Sequence, residues 1–446
     1  MKRFLPLIGA GAVYLCCMLA LYMLGNLRVH LPRYFIFSTI PFFIALLVFK
    51  KWDFFSGGDN TKAISLAIFL AVAFRLSLVA LAPSLSDDLY RYAWDGRLLA
   101  NGYNPYRYTP ADTTLTQFHD DLYDHIAYKD YYSIYPPITE AGLGVSAYAA
   151  KIFFSGSSTA TYILWKLLLI AAEIGTMLLL LRLLLRFGKP AKYLLLYAWH
   201  PLTVIEFGGQ GHSDALMIFF FMAALYACTA EKMRSSAAYL GAAIASRGIP
   251  IIFIPAFMRH IKLRGVLVAV LIPMLLFLPF FSFNVYKGIL FSTSQMAQIF
   301  TFNSFGYWTV RACFEQVRAW DQEKYIPLIL ALLFIAGLAI LAYRSRRNGI
   351  RMLPKDMLNI CTLFVLVMLN MHPWYFTWGL SLVPLVTSWG WLWLTFIANF
   401  TYLHYTPNSD MTLLTVAAIE YGGFILLLLW QRIDEREKKT AFIAEK

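Results

Sequence analysis

Long apolar runs restrict the fold of this chain more than any other feature of its sequence. The first run covers residues 4–27, directly after Lys2 and Arg3, and contains no charged side chain. About 20 helical residues cross a lipid bilayer, so this run is long enough to span one. Of all residues, 59% are hydrophobic and only 14% are charged, which argues against a water-soluble protein. The sequence therefore predicts an all-α, polytopic integral membrane protein.

The apolar segments predict about twelve full transmembrane helices, together with two partial or re-entrant helices. The candidate segments are residues 4–27, 34–49, 63–82, 138–155, 161–181, 193–207, 215–230, 236–257, 265–283, 325–343, 357–372, 374–388, 389–403 and 412–430. Two stretches break a simple alternation of sides. The chain must cross the membrane an odd number of times within residues 138–181, yet this stretch contains two apolar segments. Residues 235–258 begin and end beside basic clusters, which are both expected in the cytoplasm. Broken helices would resolve both conflicts, and such helices usually line a polar cavity.

Short runs of Lys and Arg between the apolar segments account for the net charge of +13. Cytoplasmic loops of membrane proteins carry such an excess of basic residues, so we expect both termini, including the tail 431–446, in the cytoplasm. Residues 83–137 and 284–324 then form two large extracytoplasmic loops of a single domain, residues 1–446, in the inner or plasma membrane. This distribution argues against nucleic acid as a partner.

The outer loop 83–137 contains eight Asp and ten Tyr residues and begins with a predicted helix. Ser86 is a suitable N-cap for that helix, and Asn101-Gly102 is a suitable stop signal. One stripe of the helix, at i, i+3, i+4 and i+7, carries Asp88, Arg91, Tyr92 and Asp95. The proline-rich strap that follows, with Tyr106 in it, is expected to be extended. Acidic and aromatic side chains at a membrane surface suit the binding of sugars or lipid headgroups.

Asp87 and Asp88 are the candidate catalytic acids of this loop. Successive helical residues point about 100° apart, so the two carboxylates cannot both face one atom unless the first turn is distorted. A carboxylate at this place can act as the general base for a sugar hydroxyl. The alternatives are that both acids only complement the helix dipole and that Asp95 pairs with Arg91.

Polar residues also interrupt the apolar segments further along the chain. The turn 208–214 contributes His212 and Asp214, although Asp214 can also serve only as a helix cap. Arg247 stands between two apolar half-helices, where a charged side chain needs a partner. A phosphate matches its guanidinium, and an ion pair with Glu206 or Glu173 is the alternative.

A third polar group is the predicted outer turn around His372, which is followed by Trp374 and Tyr375. His372 can donate to a leaving phosphate or to a hydroxyl, and the two aromatic rings can hold a sugar; a structural role for the histidine is the alternative. The chain has no nucleotide-binding glycine motif and no Walker lysine. We therefore expect a lipid-linked phosphosugar as donor rather than a nucleotide sugar.

These motifs together resemble the polytopic GT-C glycosyltransferases, specifically the bacterial polyprenol-phosphate-mannose-dependent mannosyltransferases. A more distant resemblance is to the catalytic subunit of the first GPI mannosyltransferase. The residues that carry the resemblance are Ser86–Pro110, Tyr135-Pro136-Pro137, Trp199-His200-Pro201, Gly211-His212-Ser213-Asp214, Arg247 and His372-Pro373-Trp374-Tyr375. They extend over roughly residues 84–380, while the first two and last two spans match only as hydrophobic helices.

The resemblance implies a GT-C-like helical bundle and inversion at the anomeric carbon of a polyprenyl-phosphate sugar. It implies that an acid of the first outer loop is the catalytic base, which places Asp88 first and Asp87 as the alternative or as a partner that positions the acceptor. Related sequences often carry Lys where Arg247 stands, which keeps a phosphate-binding role open. Asp95 does not have the spacing of the second acid in the GPI enzyme. No metal or other cofactor is predicted.

The expected reaction transfers a hexose, with mannose implied by the resemblance, to a lipid- or glycan-linked acceptor on the outer side of the membrane. The donor phosphate lies near Arg247, helped by His372 or His212, and Asp88 removes the proton of the acceptor hydroxyl. The residues expected to bind substrate are Arg91, Tyr92, Asp95, Tyr106, Asp214, Trp374 and Tyr375. A transporter or flippase of lipid-linked sugars and a structural subunit of a cell-envelope complex are the competing hypotheses.

Overall fold

The computed structural model describes residues 2–299, 301–316, 320–406 and 409–444. The described chain is 80% helical and contains no β-strand, which confirms the all-α prediction. In the first half, the helices are α1 (Leu5–Leu24), α2 (Leu31–Lys50), α3 (Trp52–Ser56), α4 (Asn60–Leu76), α5 (Asp88–Ala100), α6 (Asp121–Asp124), α7 (Pro137–Phe153), α8 (Ser158–Arg186), α9 (Leu195–Ala198), α10 (Pro201–Thr203) and α11 (Asp214–Thr229).

The second half continues with nine further α-helices in the described chain. They are α12 (Met233–Arg247), α13 (Ile254–Phe277), α14 (Phe283–Ile299), α15 (Phe305–Gln316), α16 (Ile326–Ser345), α17 (Leu353–Val367), α18 (Phe376–Val386), α19 (Trp389–Ile397) and α20 (Ser409–Ala444). Helices α14 and α15 belong to the predicted second outer loop, and α20 runs from the last predicted span into the predicted tail. A single large apolar core connects α1–α5 with α8–α13 and α17–α20.

Six helices in the described chain are long and apolar enough to cross a membrane. They are Lys2–Leu24, Leu31–Lys50, Ser158–Arg186, Ile249–Phe280, Glu323–Ser345 and Leu414–Asp434. Five of them coincide with one expected span each, whereas Ile249–Phe280 covers the end of the expected segment 236–257 and most of 265–283, with a break at Lys262, whose φ of 58° is not helical. These helices agree with a membrane protein, while the expected count of about twelve crossings is not confirmed. The other apolar segments form shorter helices; α18 and α19, for example, are separated at Thr387, whose φ of 64° is not helical.

The predicted span 138–155 is the amphipathic helix α7. Val145, Tyr148 and Ile152 form an exposed apolar stripe on one face of it. The other face packs closely against α5, where a Cβ on Gly96 would come within 2.6 Å of the carbonyl oxygen of Leu143. An apolar stripe opposite a packed face is typical of a helix that lies along the membrane interface. Since α8 alone is then long enough to cross, the conflict in residues 138–181 disappears.

The predicted span 193–207 is a series of short helical pieces rather than one helix. Between α9 and α10, His200 is extended at Pro201, and after α10 the chain forms a π-helical turn, Val204–Gly209. Gly208 approaches the backbone of α4 so closely that a Cβ there would lie 2.8 Å from the carbonyl oxygen of Arg75. This irregular backbone is fully buried, as expected where non-helical structure occurs at membrane depth.

A buried ion pair connects α4 with α8 beneath these irregular segments. Arg75 donates from Nη2 to Oε2 of Glu173 at 2.8 Å, and both side chains are completely buried. Tyr197 donates its hydroxyl to the other carboxylate oxygen of Glu173 at 2.6 Å. Arg75 also donates to the carbonyl oxygen of Ala198. The pair therefore joins α4, α8 and the broken segment that leads to the turn 208–214.

We expect Arg75→Met to destabilise the protein by about 3–5 kcal/mol, because it leaves the Glu173 carboxylate buried without its cation. Thermal unfolding of the purified protein in detergent measures the loss. Adding Glu173→Leu removes the stranded charge and is expected to restore part of the stability. Strictly additive losses in the double variant would contradict an energetic coupling of the two side chains.

Candidate active site

The two acids at the start of α5 point to different partners, as the helical rotation predicted. Asp87 accepts a hydrogen bond from Nη2 of Arg28 at 2.8 Å, and this guanidinium also lies over the ring of Tyr405. Asp88 faces the other side, where its Oδ2 lies 4.0 Å from Nε2 of His212. Its side chain is 36% exposed and is therefore accessible to a substrate. The structure thus separates Asp87, which is ion-paired and 45% exposed, from Asp88, which faces the buried His212.

The segment that precedes α5 is held by side chains from three distant parts of the chain. Lys166 donates to the carbonyl oxygen of Leu81 at 2.6 Å. Gln210 accepts the backbone N–H groups of Ser84 and Leu85, and Tyr405 donates to the carbonyl oxygen of Leu85 at 2.7 Å. The start of α5, and with it Asp88, is consequently fixed relative to the turn 208–214.

Sequence reasoning missed these three positioning residues. Only Lys166 carried a signal, since it is a charged residue inside the apolar segment 161–181. Its neighbour Trp165 donates to the carbonyl oxygen of Gly211 at 2.8 Å, so α8 also holds the turn that carries His212. Gln210 and Tyr405 had no such signal, because uncharged polar residues are common near span ends.

Arg247 lies at the C-terminal end of α12 and is almost fully buried. Its Nη1 donates to Oγ of Ser213 at 2.9 Å and to the hydroxyl of Tyr92 at 3.4 Å. Its Nε lies 3.6 Å from Oδ1 of Asp214, and the guanidinium lies over the ring of Tyr375. The expected alternative, an ion pair with Glu206 or Glu173, is therefore wrong, because Asp214 is the carboxylate beside Arg247.

Asp214 does more than begin helix α11. Its Oδ1 accepts a hydrogen bond from Nε1 of Trp378 at 2.7 Å, while its buried Oδ2 has no hydrogen-bond partner among the described residues. The side chain is completely buried next to Arg247. This arrangement fixes the guanidinium from one side, with Tyr375 on another.

Four aromatic rings from three separate loops form a continuous stack beside Asp88. His212 stacks on Trp374 with ring centroids 3.8 Å apart, Trp374 stacks on His372 at 4.4 Å, and His372 stacks on Phe302 at 4.7 Å. Burial, together with the neighbouring His212 and Arg247, lowers the pKa of His372 to about 3, so its ring is neutral at pH 7. His372 is thus one ring behind Trp374, while His212 is the histidine that faces Asp88.

His212 also lies next to a carboxylate that the sequence presented only as a possible ion-pair partner. Its Nδ1 is 2.9 Å from Oε2 of Glu206, in the π-helical turn. The other carboxylate oxygen of Glu206 accepts the hydroxyl of Tyr402 at 2.8 Å. His212 and Glu206 are both completely buried. The imidazole is therefore placed between a buried glutamate and the accessible Asp88.

Although the Asp88 side chain is partly exposed, the surrounding protein shields its carboxyl from water and so raises the pKa of that carboxyl above its usual value. Asp214 and Asp87 add to this increase, whereas His212 and Arg247 oppose it. A carboxylate with a raised pKa is a stronger base than an ordinary aspartate, provided that it is still ionised at the working pH. Asp88 therefore combines a partly exposed side chain that faces His212 with a raised pKa, and both features suit proton removal.

Three predicted substrate-binding residues lie in a second, buried cluster instead of beside Asp88. Arg91 donates through Nε to both carboxylate oxygens of Asp95, at 2.9 and 3.0 Å, and through Nη1 to the carbonyl oxygen of Tyr131. Burial raises the pKa of Asp95. Tyr106 donates to the carbonyl oxygen of Tyr135. The alternative reading of Asp95, a pair with Arg91, is the one that the structure shows.

No group of three or more His, Cys, Asp or Glu side chains in the described ranges is placed to hold a metal ion. The groups around Asp88 are instead the side chains of Arg247 and His212, the carboxylates of Asp214 and Glu206, and several aromatic rings. A buried guanidinium suits an anionic group such as a phosphate, and rings beside it suit a sugar. An accessible carboxylate next to them can accept a proton from a hydroxyl.

An all-α membrane protein with such a site fits the class of membrane glycosyltransferases. Residues 39–261 match the family model of the MptA_B family, described as the alpha-(1->6)-mannopyranosyltransferase N-terminal domain. The chain belongs to this family of mannosyltransferases, which confirms the resemblance to bacterial mannosyltransferases. The matched region contains Asp88, His212 and Arg247, whereas His372 lies beyond it. No curated protein matches the chain.

We expect Asp88→Asn to raise the thermal stability of the protein at pH 7. The raised pKa means that the ionised carboxylate is less favourable in the folded than in the unfolded protein, so a neutral amide removes a cost above the folded pKa. As the pH falls through the folded pKa, the wild-type carboxyl is protonated and the gain should disappear. Melting curves from pH 7 to pH 4 check this, and equal or lower stability of the variant at pH 7 would contradict it.

Proposed function

We propose that this protein transfers a mannosyl group from a polyprenyl-phosphate mannose to a hydroxyl of a lipid- or glycan-linked acceptor. The accessible Asp88 beside the buried Arg247 is the observation that carries the proposal. A base and a phosphate-binding cation within one site are the two groups that such a transfer needs. Membership of a mannosyltransferase family supports mannose as the sugar.

In this reaction the acceptor hydroxyl attacks the anomeric carbon from the face opposite the phosphate, and configuration is inverted. The matched family model is described by an alpha-(1->6) product. Inversion that yields an α-linked product requires a donor in which mannose is β-linked to the phosphate. The expected acceptor position is then a primary hydroxyl at C6 of a mannose residue.

The leaving phosphate needs positive charge that is in place before the bond breaks, because preorganised charge lowers the barrier most. Arg247 is held by Ser213, Tyr92 and Asp214, so its guanidinium has little freedom to reorganise. His212, which faces Asp88, is the second group proposed to contact the phosphate. His372 supports Trp374 from behind in the ring stack, and Trp374 and Tyr375 are proposed to hold the sugar.

The active site is proposed to lie on the extracytoplasmic side, with both termini in the cytoplasm. The basic clusters between the apolar segments support this orientation, and the amphipathic helix α7 beside α5 is suited to the outer interface. Within a single GT-C-like bundle formed by residues 1–446, a donor anchored in the outer leaflet can reach Asp88 without leaving the membrane.

Asp88→Asn should lower kcat for transfer from polyprenyl-phosphate mannose by about 100- to 10,000-fold, because the amide cannot accept the proton of the acceptor. Binding of the donor should persist. The matched control is Asp87→Asn, whose carboxylate pairs with Arg28, and this variant should retain most of the activity. Radiolabelled mannose transfer by the purified proteins measures both.

The same assay separates the competing functions. A flippase would move the labelled lipid across vesicle membranes without forming a new glycosidic product, and a structural subunit would show neither activity. Loss of transfer in Asp87→Asn with full activity in Asp88→Asn would assign the base to the other acid.

Arg247→Gln should lower kcat/KM for the donor by about 100-fold or more, because the neutral amide cannot stabilise the leaving phosphate. Arg247→Lys should retain part of the activity, since it keeps the charge but loses the forked geometry. Arg28→Gln, an outer arginine that contacts Asp87, is the control and should change activity by less than about fivefold. Equal effects of the Arg28 and Arg247 variants would contradict a role of Arg247 in donor binding.

A further inference from the structure

Glu206 is a completely buried carboxylate that contacts the site, and the proposed reaction so far gives it no role. It lies in the π-helical turn, with no exposed surface, and its Oε2 is 2.9 Å from Nδ1 of His212. The same two residues are joined through the backbone, where the N–H of His212 donates to the carbonyl oxygen of Glu206 at 3.0 Å. An acidic side chain at membrane depth is costly and usually serves a function, so the place of Glu206 beside His212 points to a use in the site.

The geometry defines which ring nitrogen of His212 can exchange a proton with the site. The contact of 2.9 Å between Nδ1 and Oε2 of Glu206 lacks the angle of a hydrogen bond, and both atoms are without a hydrogen-bond partner among the described residues. A carboxylate this close to Nδ1 favours the tautomer with the proton on that nitrogen. Nε2 then carries the lone pair, and it is the nitrogen that lies 4.0 Å from Oδ2 of Asp88. Stacking of the His212 imidazole on Trp374 restricts rotation of this ring.

We propose that Glu206 is a positioning residue that holds His212 with Nε2 toward Asp88, so that His212 takes up the proton that Asp88 removes from the acceptor and delivers it to the leaving phosphate. This inference rests on the proposed mannosyl transfer. Glu206 stabilises the positive charge that the imidazole carries between the two transfers. The arrangement follows the logic of a buried acid that orients a catalytic histidine.

The steps balance without another reactant. The bond between the anomeric carbon and the phosphate oxygen breaks, and its electron pair stays on the phosphate, while the acceptor oxygen forms the new bond to the same carbon. The proton passes from the acceptor hydroxyl to Asp88, then to Nε2 of His212, and finally to a phosphate oxygen. Asp88 and His212 thereby return to their starting states for the next donor. The gap of 4.0 Å between Nε2 and Oδ2 would shorten to hydrogen-bond distance when substrates bind.

The first test measures the tautomer directly and needs no substrate. Protein labelled with ¹⁵N-histidine gives separate signals for protonated and unprotonated ring nitrogens, and comparison with His212→Gln assigns those of His212 among the eight histidines. The expected result is a protonated Nδ1 and an unprotonated Nε2 in the wild type. A proton on Nε2 with none on Nδ1 would overturn the proposal, whether or not any variant folds.

The second test separates positioning from general stability. Glu206→Gln should lower kcat by about 10- to 100-fold with little change in KM for the donor, because its neutral amide cannot stabilise the imidazolium. Glu206→Asp, which keeps the charge, should retain more activity than the amide variant. The matched control is Glu173→Gln, which changes a buried glutamate that contacts Arg75 and Tyr197. This variant should have a lower melting temperature, but its kcat should not fall comparably at temperatures where it is folded.

The outcomes are distinguishable from failure of the proposed function. If the wild-type protein transfers no mannose from a polyprenyl phosphate, the proposed function is wrong, and so is the relay that rests on it, even when the tautomer is the expected one. If the wild type is active and Glu206→Gln matches it in kcat, or loses no more kcat than Glu173→Gln, the positioning role is wrong and the proposed function stands.

Discussion

A charged side chain surrounded by lipid and protein must have a partner, and this requirement organises the interior of the protein. Arg75 is paired with Glu173 between α4 and α8, and Arg247, at the end of α12, is paired with Asp214, at the start of α11. Lys166 donates a hydrogen bond to the backbone carbonyl oxygen of Leu81. Each of these contacts joins segments that are distant in the sequence, so the same interactions that neutralise buried charge also connect the irregular parts of the fold.

The candidate site is built on irregular backbone because regular helices would not bring its groups together. The π-helical turn carries Glu206 and leads to His212, and the end of α12 at Gly248 leaves Arg247 at a helix terminus. The stack from His212 to Phe302 then connects this centre to the segment 284–324, where Phe302 also pairs with the backbone beside Asn370. The turn that carries Trp374, a residue proposed to hold the sugar, is thereby in physical contact with the proposed relay.

Several features of the site follow from the local sequence alone. Helix α5, its end at Asn101 and the divergence of Asp87 from Asp88 depend on helix geometry within a few residues. Helix α5 nevertheless begins one residue later than expected, with Asp87 rather than Ser86 as its N-cap. The position of Arg247 at a break before Gly248 was also evident from the sequence. By contrast, the twelve crossings expected from hydropathy are not confirmed, because an apolar stretch such as 138–155 can equally form an interfacial helix that packs one face against protein.

The sequence by itself determined the class of protein, since 59% hydrophobic residues arranged in long runs can be satisfied only by helices in a membrane. It also identified the residue types of the site, namely acids of the first outer loop, His212, Arg247 and the aromatic group around Trp374. Only the tertiary structure decided their partners: Arg28 for Asp87, Asp214 for Arg247, and Glu206 for His212. The reason is that capping and helical rotation act over a few residues, whereas most of these partners are chosen by the packing of segments far apart in the chain.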